Sequence, residues 1–377
     1  MKTLFRKGIL DVLRRFKIYR AYSLIPKGEI NFSQLEDAKV LKADEYPPIK
    51  RKTPFTIGEG IYWKFEQSLN DVPQKTFVIE ANGWRVWGNQ GAAINSKEYL
   101  FKDVSREFEK PGHSIFLQLK LAPLVHLAGT SALINASGAD MYYHWMVDIL
   151  PRLKLLLDCN FNNENIDHYI VDYRGISFQT ETLAILGIND DKISRADNHF
   201  NYHVLAERLI VPSLASKLDV VSADACGFLR DTFLKEEKIS SFGKKIYLKR
   251  TGKRKLINQA EIEEYLESLG FQAVQCENYS VEEQVAIFQH ADIVIGPHGA
   301  AFTNVVFCKP GTKVIEFFSP RWINQCYWTI CNEVALEYYY LIGEGPPPAD
   351  HSDAKGTTAD IQLNPDKIKQ LFKQFHI

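Results

Sequence analysis

Lys245-Ile246-Tyr247-Leu248-Lys249-Arg250, Asp292-Ile293-Val294-Ile295-Gly296-Pro297-His298-Gly299-Ala300-Ala301 and Thr312-Lys313-Val314-Ile315-Glu316-Phe317-Phe318 decide the reading of the fold. Each is a short apolar run stopped by a charge or a turn, the pattern of strands buried on both faces. Two segments between them carry helix-start signals. Asn258 stands three residues before Glu261 and Ser280 three before Glu283, the spacing of reciprocal capping pairs. Apolar strands alternating with amphipathic helices predict a parallel sheet covered on both faces. Such sheets bind ligands beyond the carboxyl ends of their strands, where Arg250, Gly296 to His298 and Glu316 all fall.

Working outward, the charge around this stretch is local. The chain has a formal net charge of -1, but residues 238–260 hold eight Lys or Arg and no Asp or Glu. Near-neutrality and the lack of a recognisable module argue against a nucleic-acid partner. The basic cluster begins at a strand end and enters a turn at Gly252, which suits phosphate better than a merely solvated face. Six cysteines at 159, 226, 276, 308, 326 and 331 form no Cys-x-x-Cys pair, so they read as buried thiols in a reducing compartment rather than a zinc site.

At 377 residues the chain fits two domains better than one. Residues 1–50 read as a basic amphipathic helix and a connector. In the helix Lys2, Arg6, Lys7, Arg14, Arg15, Lys17 and Arg20 interleave with Leu4, Phe5, Ile9, Leu10, Leu13 and Phe16. Such a surface can lie on anionic membrane or simply face water. No apolar run is long enough to span a bilayer, and no signal-peptide core is present. Residues 51–238 read as a first domain, with a hairpin at Asn82-Gly83 and then α/β alternation: strands at 132–135, 169–172 and 204–211, helices at 177–186 and 225–238. Residues 239–345 form the second domain, in which Ala300 to Phe307 reads as a helix. Residues 346–377 read as a tail with a helix starting at Asn364-Pro365.

Tyr142-Tyr143-His144-Trp145-Met146-Val147-Asp148-Ile149-Leu150-Pro151-Arg152-Leu153 is the second informative segment. On a helix His144 and Asp148 share a face and Arg152 continues the row, while Pro151 should kink or restart the helix. A histidine among apolar residues is often structural, but a His, Asp and Arg row after Ser137-Gly138-Ala139 points to chemistry. The turn Gly296-Pro297-His298-Gly299 is neither a dinucleotide fingerprint nor a Walker loop. It can offer amides to a phosphate or sugar hydroxyl, and Glu316 could accept from a ribose.

These motifs, in the order 142–153, 246–250 with Arg254 and Asn258, 296–300 and 314–316, resemble family 61 of the glycosyltransferases, including its bacterial capsular-polysaccharide members. The resemblance spans roughly residues 125–320. It implies an α/β, GT-B-like fold of two Rossmann-like domains facing a cleft. It also implies inverting sugar transfer from a nucleotide-sugar donor to a glycan or lipid-linked glycan acceptor, without a cofactor or bound metal. The sequence contains no Asp-x-Asp element, so the charge of the leaving diphosphate would fall to cations and amides.

On this expectation Arg250, Lys253, Arg254, His298, Gly299, Ala300 and Glu316 form the donor site, with a UDP-sugar favoured. Asp148 is the favoured base and His144 the second choice, unless Asp148 orients His144; Arg152 and Tyr143 lie on the acceptor side. Eukaryotic relatives carry anchors or secretory signals, so the expected setting is bacterial surface-polysaccharide synthesis. The protein would be cytoplasmic, or peripheral on the inner face of the plasma membrane through its N-terminal helix. The competing readings are a heptosyltransferase-like enzyme with an ADP-linked donor and a non-catalytic carbohydrate-binding relative.

Overall fold

The computed structural model describes residues 25–108, 112–234, 240, 242–346 and 354–377. The basic amphipathic helix expected near the N-terminus lies outside the described residues. Among the described residues no helix is long and apolar enough to cross a membrane. The chain divides into two compact units, Met1–Asp44 with Thr76–Leu214, and Glu45–Lys75 with Ala215–Ile377.

The first unit is built on a nine-stranded mixed sheet. Its longest strand, Thr76–Trp87, pairs antiparallel with His203–Pro212, which pairs parallel with Val125–Leu133. His168–Val171 continues the parallel run. Phe77, Ile79, Trp84 and Val86 from the long strand meet Leu209 and Val211 in the core. The hairpin expected at Asn82-Gly83 does not form. Gly83 takes φ 65° inside a strand whose pairing with His203–Pro212 continues through it. The chain reverses five residues later, where Gly88 and Gly91 at φ 72° and 73° link Trp87 to Ala92. Two left-handed positions bracket that turn, and glycine meets both without a Cβ penalty.

The second unit holds a five-stranded parallel sheet of Lys245–Leu248, Gln272–Val274, Ile293–Pro297, Lys313–Phe318 and Glu337–Ile342. Taken in chain order, the strands lie second, first, third, fourth, fifth across the sheet. The order reverses between the first and third strands, which makes their carboxyl ends the topological switch point where doubly wound sheets bind ligands. Ser280 forms the expected capping box with Glu283 ahead of helix Val281–His290. Asn258 makes no side-chain cap; its amide instead donates to Leu363 O at 2.7 Å and accepts from Leu363 N at 3.2 Å. Ala300–Phe307 is a 3-10 helix rather than an α-helix; Thr303, Val305 and Val306 carry β-branches that lower α preference.

Three boundaries differ from the sequence expectation. Residues 45–75 belong with the second unit, because Phe55 bridges Tyr338 O and Tyr340 N, at 2.9 Å each, and the fully buried Phe65 packs on Trp328 and Tyr340. Burying such a ring is worth about 1.5–3 kcal/mol, so packing outweighs contiguity along the chain. The change of unit falls at Leu214–Ala215 rather than near 238. The C-terminal segment is no separate tail: Ile361, Leu363, Ile368 and Leu371 join Tyr247, Ile295 and Leu341 in one core.

Candidate functional site

At the switch point two glycines set how closely the loops approach. A Cβ on Gly296 would lie 2.8 Å from Leu248 O, so a larger residue there would force the first and third strands apart. A Cβ on Gly299 would lie 1.9 Å from Arg250 Nη1. Glycine therefore lets the guanidinium rest against the backbone of the 298–300 turn. Arg250 Nε donates to Lys253 O, closing the basic loop on itself. Arg254 in that loop has φ 61°, a left-handed position that costs a non-glycine residue energy and often marks function.

The electrostatics are one-sided. Burial lowers the Arg250 pKa, and Arg254 lowers it further. Arg254 Nε is buried and has no hydrogen-bond partner among the described residues. A buried unpaired donor on a cation is costly, and an anion would satisfy it. Lys253 is exposed and contributes its carbonyl, not its ammonium, to the loop. Gly299 is buried and Ala300 half-buried beside it.

His298 is 5% exposed, with Phe318 and Tyr327 each 5.2 Å away ring to ring. Its Nδ1 contacts Glu316 Oε1, and Tyr338 donates to Glu316 Oε2. This corrects the role expected of Glu316. The carboxylate is fully buried with both oxygens engaged, so it orients His298 and does not reach for a ribose. Burial holds the Glu316 carboxyl above the usual carboxylate range. Burial, then Arg254, Arg250 and Lys64, hold His298 below its ordinary value. With Nδ1 taken, Nε2 is the nitrogen left for a ligand.

Lys64 escaped the sequence reading. It sits on helix Trp63–Ser68, donates to Ile323 O at 3.0 Å, and lies 5.2 Å over Trp322 and 5.7 Å over Trp63. Burial lowers its pKa. Its distance in sequence from Arg250 hid it; the aromatic run Tyr62-Trp63-Lys64-Phe65 was the available signal.

The second candidate group lies in the first unit. Tyr142–His144 is α-helical, Trp145–Ile149 forms a π turn, and Arg152–Asp158 resumes the α-helix. Pro151 explains the widening: it has no N–H, and its ring crowds the carbonyl one turn back. Leu150 N accordingly bonds Trp145 O, five residues earlier, at 3.0 Å. Such turns concentrate at functional sites. His144 Nδ1 lies 2.7 Å from Asp148 Oδ2, Phe108 packs 4.6 Å from the imidazole ring, and Tyr143 packs edge-on at 5.0 Å. Gly138, at φ 83°, makes room, since a Cβ there would sit 2.8 Å from His144 Cδ2.

The π turn also shifts the helical phase, and Arg152 leaves the expected row. It is fully buried and donates to Asn135 O and Pro212 O. Burial pushes its pKa down to about 9, against the opposing charge of Asp148. Arg152 is thus an internal cation behind Asp148, not an acceptor contact. Among the described residues no three His, Cys, Asp or Glu side chains gather to hold a metal ion.

Comparison with known proteins fits this arrangement. The family model described as Glycosyltransferase 61 matches residues 142–315, from the His144–Asp148 helix to the strand that carries Glu316. Beta-1,2-xylosyltransferase RCN11 of Oryza sativa subsp. japonica is 36% identical over 62 residues, 16% of this chain and 12% of the relative. Beta-1,2-xylosyltransferase of Arabidopsis thaliana is 32% identical over 62 residues, again 16% and 12%. The aligned stretch is thus a small part of either relative. What these findings show is a likeness, over part of this chain, to glycosyltransferases. Both relatives are plant proteins, so they lend no support to a bacterial, capsular setting.

Proposed function

We propose that the second unit binds the diphosphate of a nucleotide sugar, and that the protein transfers that sugar with inversion to a glycan or lipid-linked glycan acceptor. The observation that carries this reading is the buried, unpartnered Nε of Arg254 beside Arg250, at the switch point of a parallel sheet. The guanidinium fork matches phosphate oxygens in pairs. His298 Nε2 and the amides of Gly299 and Ala300 complete the cradle. The GT-B arrangement, a UDP-linked donor, metal-independent transfer, a bacterial polysaccharide acceptor and membrane contact through the N-terminal segment belong to the same proposal.

In the transfer step the acceptor oxygen bonds the anomeric carbon as the bond to the diphosphate breaks, its electron pair leaving on phosphate. The acceptor proton goes to the His144–Asp148 pair. The 2.7 Å contact at Nδ1 and the greater exposure of the imidazole favour His144 as the base and Asp148 as its orienter, reversing the first choice made from sequence. The test is thermal shift with UDP, GDP, ADP, CMP and dTDP, each with and without EDTA. A ligand that binds only the folded state raises Tm. One selective nucleotide, effective in EDTA, supports the proposal, and an ADP preference would move it to a heptosyltransferase-like donor. No stabilisation at millimolar ligand sinks the donor site.

A further inference from the structure

The polar chain behind His298 continues past Glu316. Tyr338, on the strand beside it, is 3% exposed and donates its hydroxyl to Oε2 while His298 Nδ1 meets Oε1. Burial holds the Tyr338 phenol well above its ordinary pKa, so it remains a donor. Its ring packs independently of the hydroxyl, with Phe65 at 6.1 Å.

His298 and Glu316 together can carry two protons or one. With two, burial keeps the pair neutral: the carboxyl donates to Nδ1, and Nε2 bears a hydrogen that can donate to a phosphate oxygen. With one, Nδ1–H points at the carboxylate, and the bare Nε2 lone pair repels phosphate. Donation from Tyr338 favours the charged carboxylate and therefore the one-proton state. The other groups that bear on this balance are cations and weak acids. Arg250, Arg254 and Lys64 act on the imidazole, Arg254 on the carboxyl, and burial holds the neighbouring Tyr327 and Cys331 protonated.

We infer that Tyr338 is a positioning residue which, acting through Glu316, sets the pH at which His298 stops offering an Nε2 hydrogen to the donor's diphosphate. This rests on reading His298 as a phosphate-facing group. A bound diphosphate neutralises the surrounding cations and draws the second proton onto the pair, so nucleotide binding takes up a proton above the pair's own titration point.

Tyr338→Phe removes only the hydroxyl. Nitrogen-15 NMR titration of His298 in the free protein should show its midpoint raised by roughly one to two pH units, the scale of one hydrogen bond to a carboxylate. The alkaline decline in UDP affinity should move up by the same amount. Glu316→Gln, whose amide donates to Nδ1 and fixes the hydrogen on Nε2, should flatten that decline. An unmoved midpoint in a Tyr338→Phe protein with unchanged Tm overturns the inference. UDP affinity unaffected by Arg250→Ala would instead overturn the donor-site reading beneath it, and the free-protein titration keeps the two failures apart.

Discussion

The molecule carries two histidine–carboxylate pairs, and they are built in opposite ways. His144 and Asp148 lie four residues apart on one helix, at a π turn, with side chains 15% and 11% exposed. His298 follows one strand and Glu316 lies on its neighbour, eighteen residues on, and the carboxylate is sealed from water with a tyrosine on its second oxygen. The first pair is local and reachable, suited to exchanging a proton with an incoming hydroxyl. The second is fixed from behind by the sheet and offers a single atom to a ligand, suited to recognising charge.

That contrast is most easily broken at the helix. If the His144–Asp148 pair takes the acceptor proton, Asp148→Asn and His144→Ala should each cut turnover about 10²–10⁴-fold, the usual share of a general base. Nucleotide affinity, which the proposal assigns to the second unit, should not move. If Asp148 alone is the base, His144→Ala keeps most of its turnover. Near-normal kcat in both variants would remove the pair from the mechanism.

The glycines beneath each site sharpen the comparison. Gly138→Ala places a Cβ 2.8 Å from both His144 Cδ2 and Met141 Cε, at φ 83°. Strain of that kind costs about 1–3 kcal/mol, so a lower Tm and lower turnover should appear together. Gly299→Ala also clashes, but with the mobile end of Arg250, and its backbone at φ -178° suits any residue. The guanidinium should swing away at little cost in stability. Nucleotide affinity should fall about tenfold, the scale of one charge-assisted hydrogen bond, with Tm of the free protein nearly unchanged. A Gly299→Ala protein that binds nucleotide normally would argue that Arg250 is not held over that turn.

What the sequence made legible follows the same division. The 144–148 pair rests on helical spacing, which is written in consecutive residues, and the parallel strands of the second unit rest on continuous apolar runs. The partnership of Glu316 with His298 and Tyr338 depends on strand register, and read along the chain Glu316 looked like a strand-end acid free to meet a ribose. Lys64 and the residues around Phe55 joined the second unit through aromatic packing against Tyr338 to Tyr340, a long-range choice whose partner the aromatic run at 62–65 does not name. Arg152 was misplaced for a subtler reason: Pro151 was recognised as a break, but the extra residue of the π turn rotated everything beyond it.

The smallest effect separates two residues that looked alike in sequence. Ser280 and Asn258 both carry an acid three residues on, yet only Ser280 caps its helix. Ser280→Ala should cost about 1 kcal/mol, the value of a lost cap, with the loss felt in helix Val281–His290. Asn258→Ala should cost a similar amount, because its two hydrogen bonds with Leu363 disappear. There the loss should fall on the C-terminal segment, whose Ile361 and Leu363 lie in the core of the second unit. Hydrogen exchange distinguishes the two. Faster exchange at residues 361–375 in Asn258→Ala, with 259–268 unaffected, would show that the side chain serves the sheet's outer layer. Faster exchange at 259–268 instead would restore the capping role that the sequence suggested.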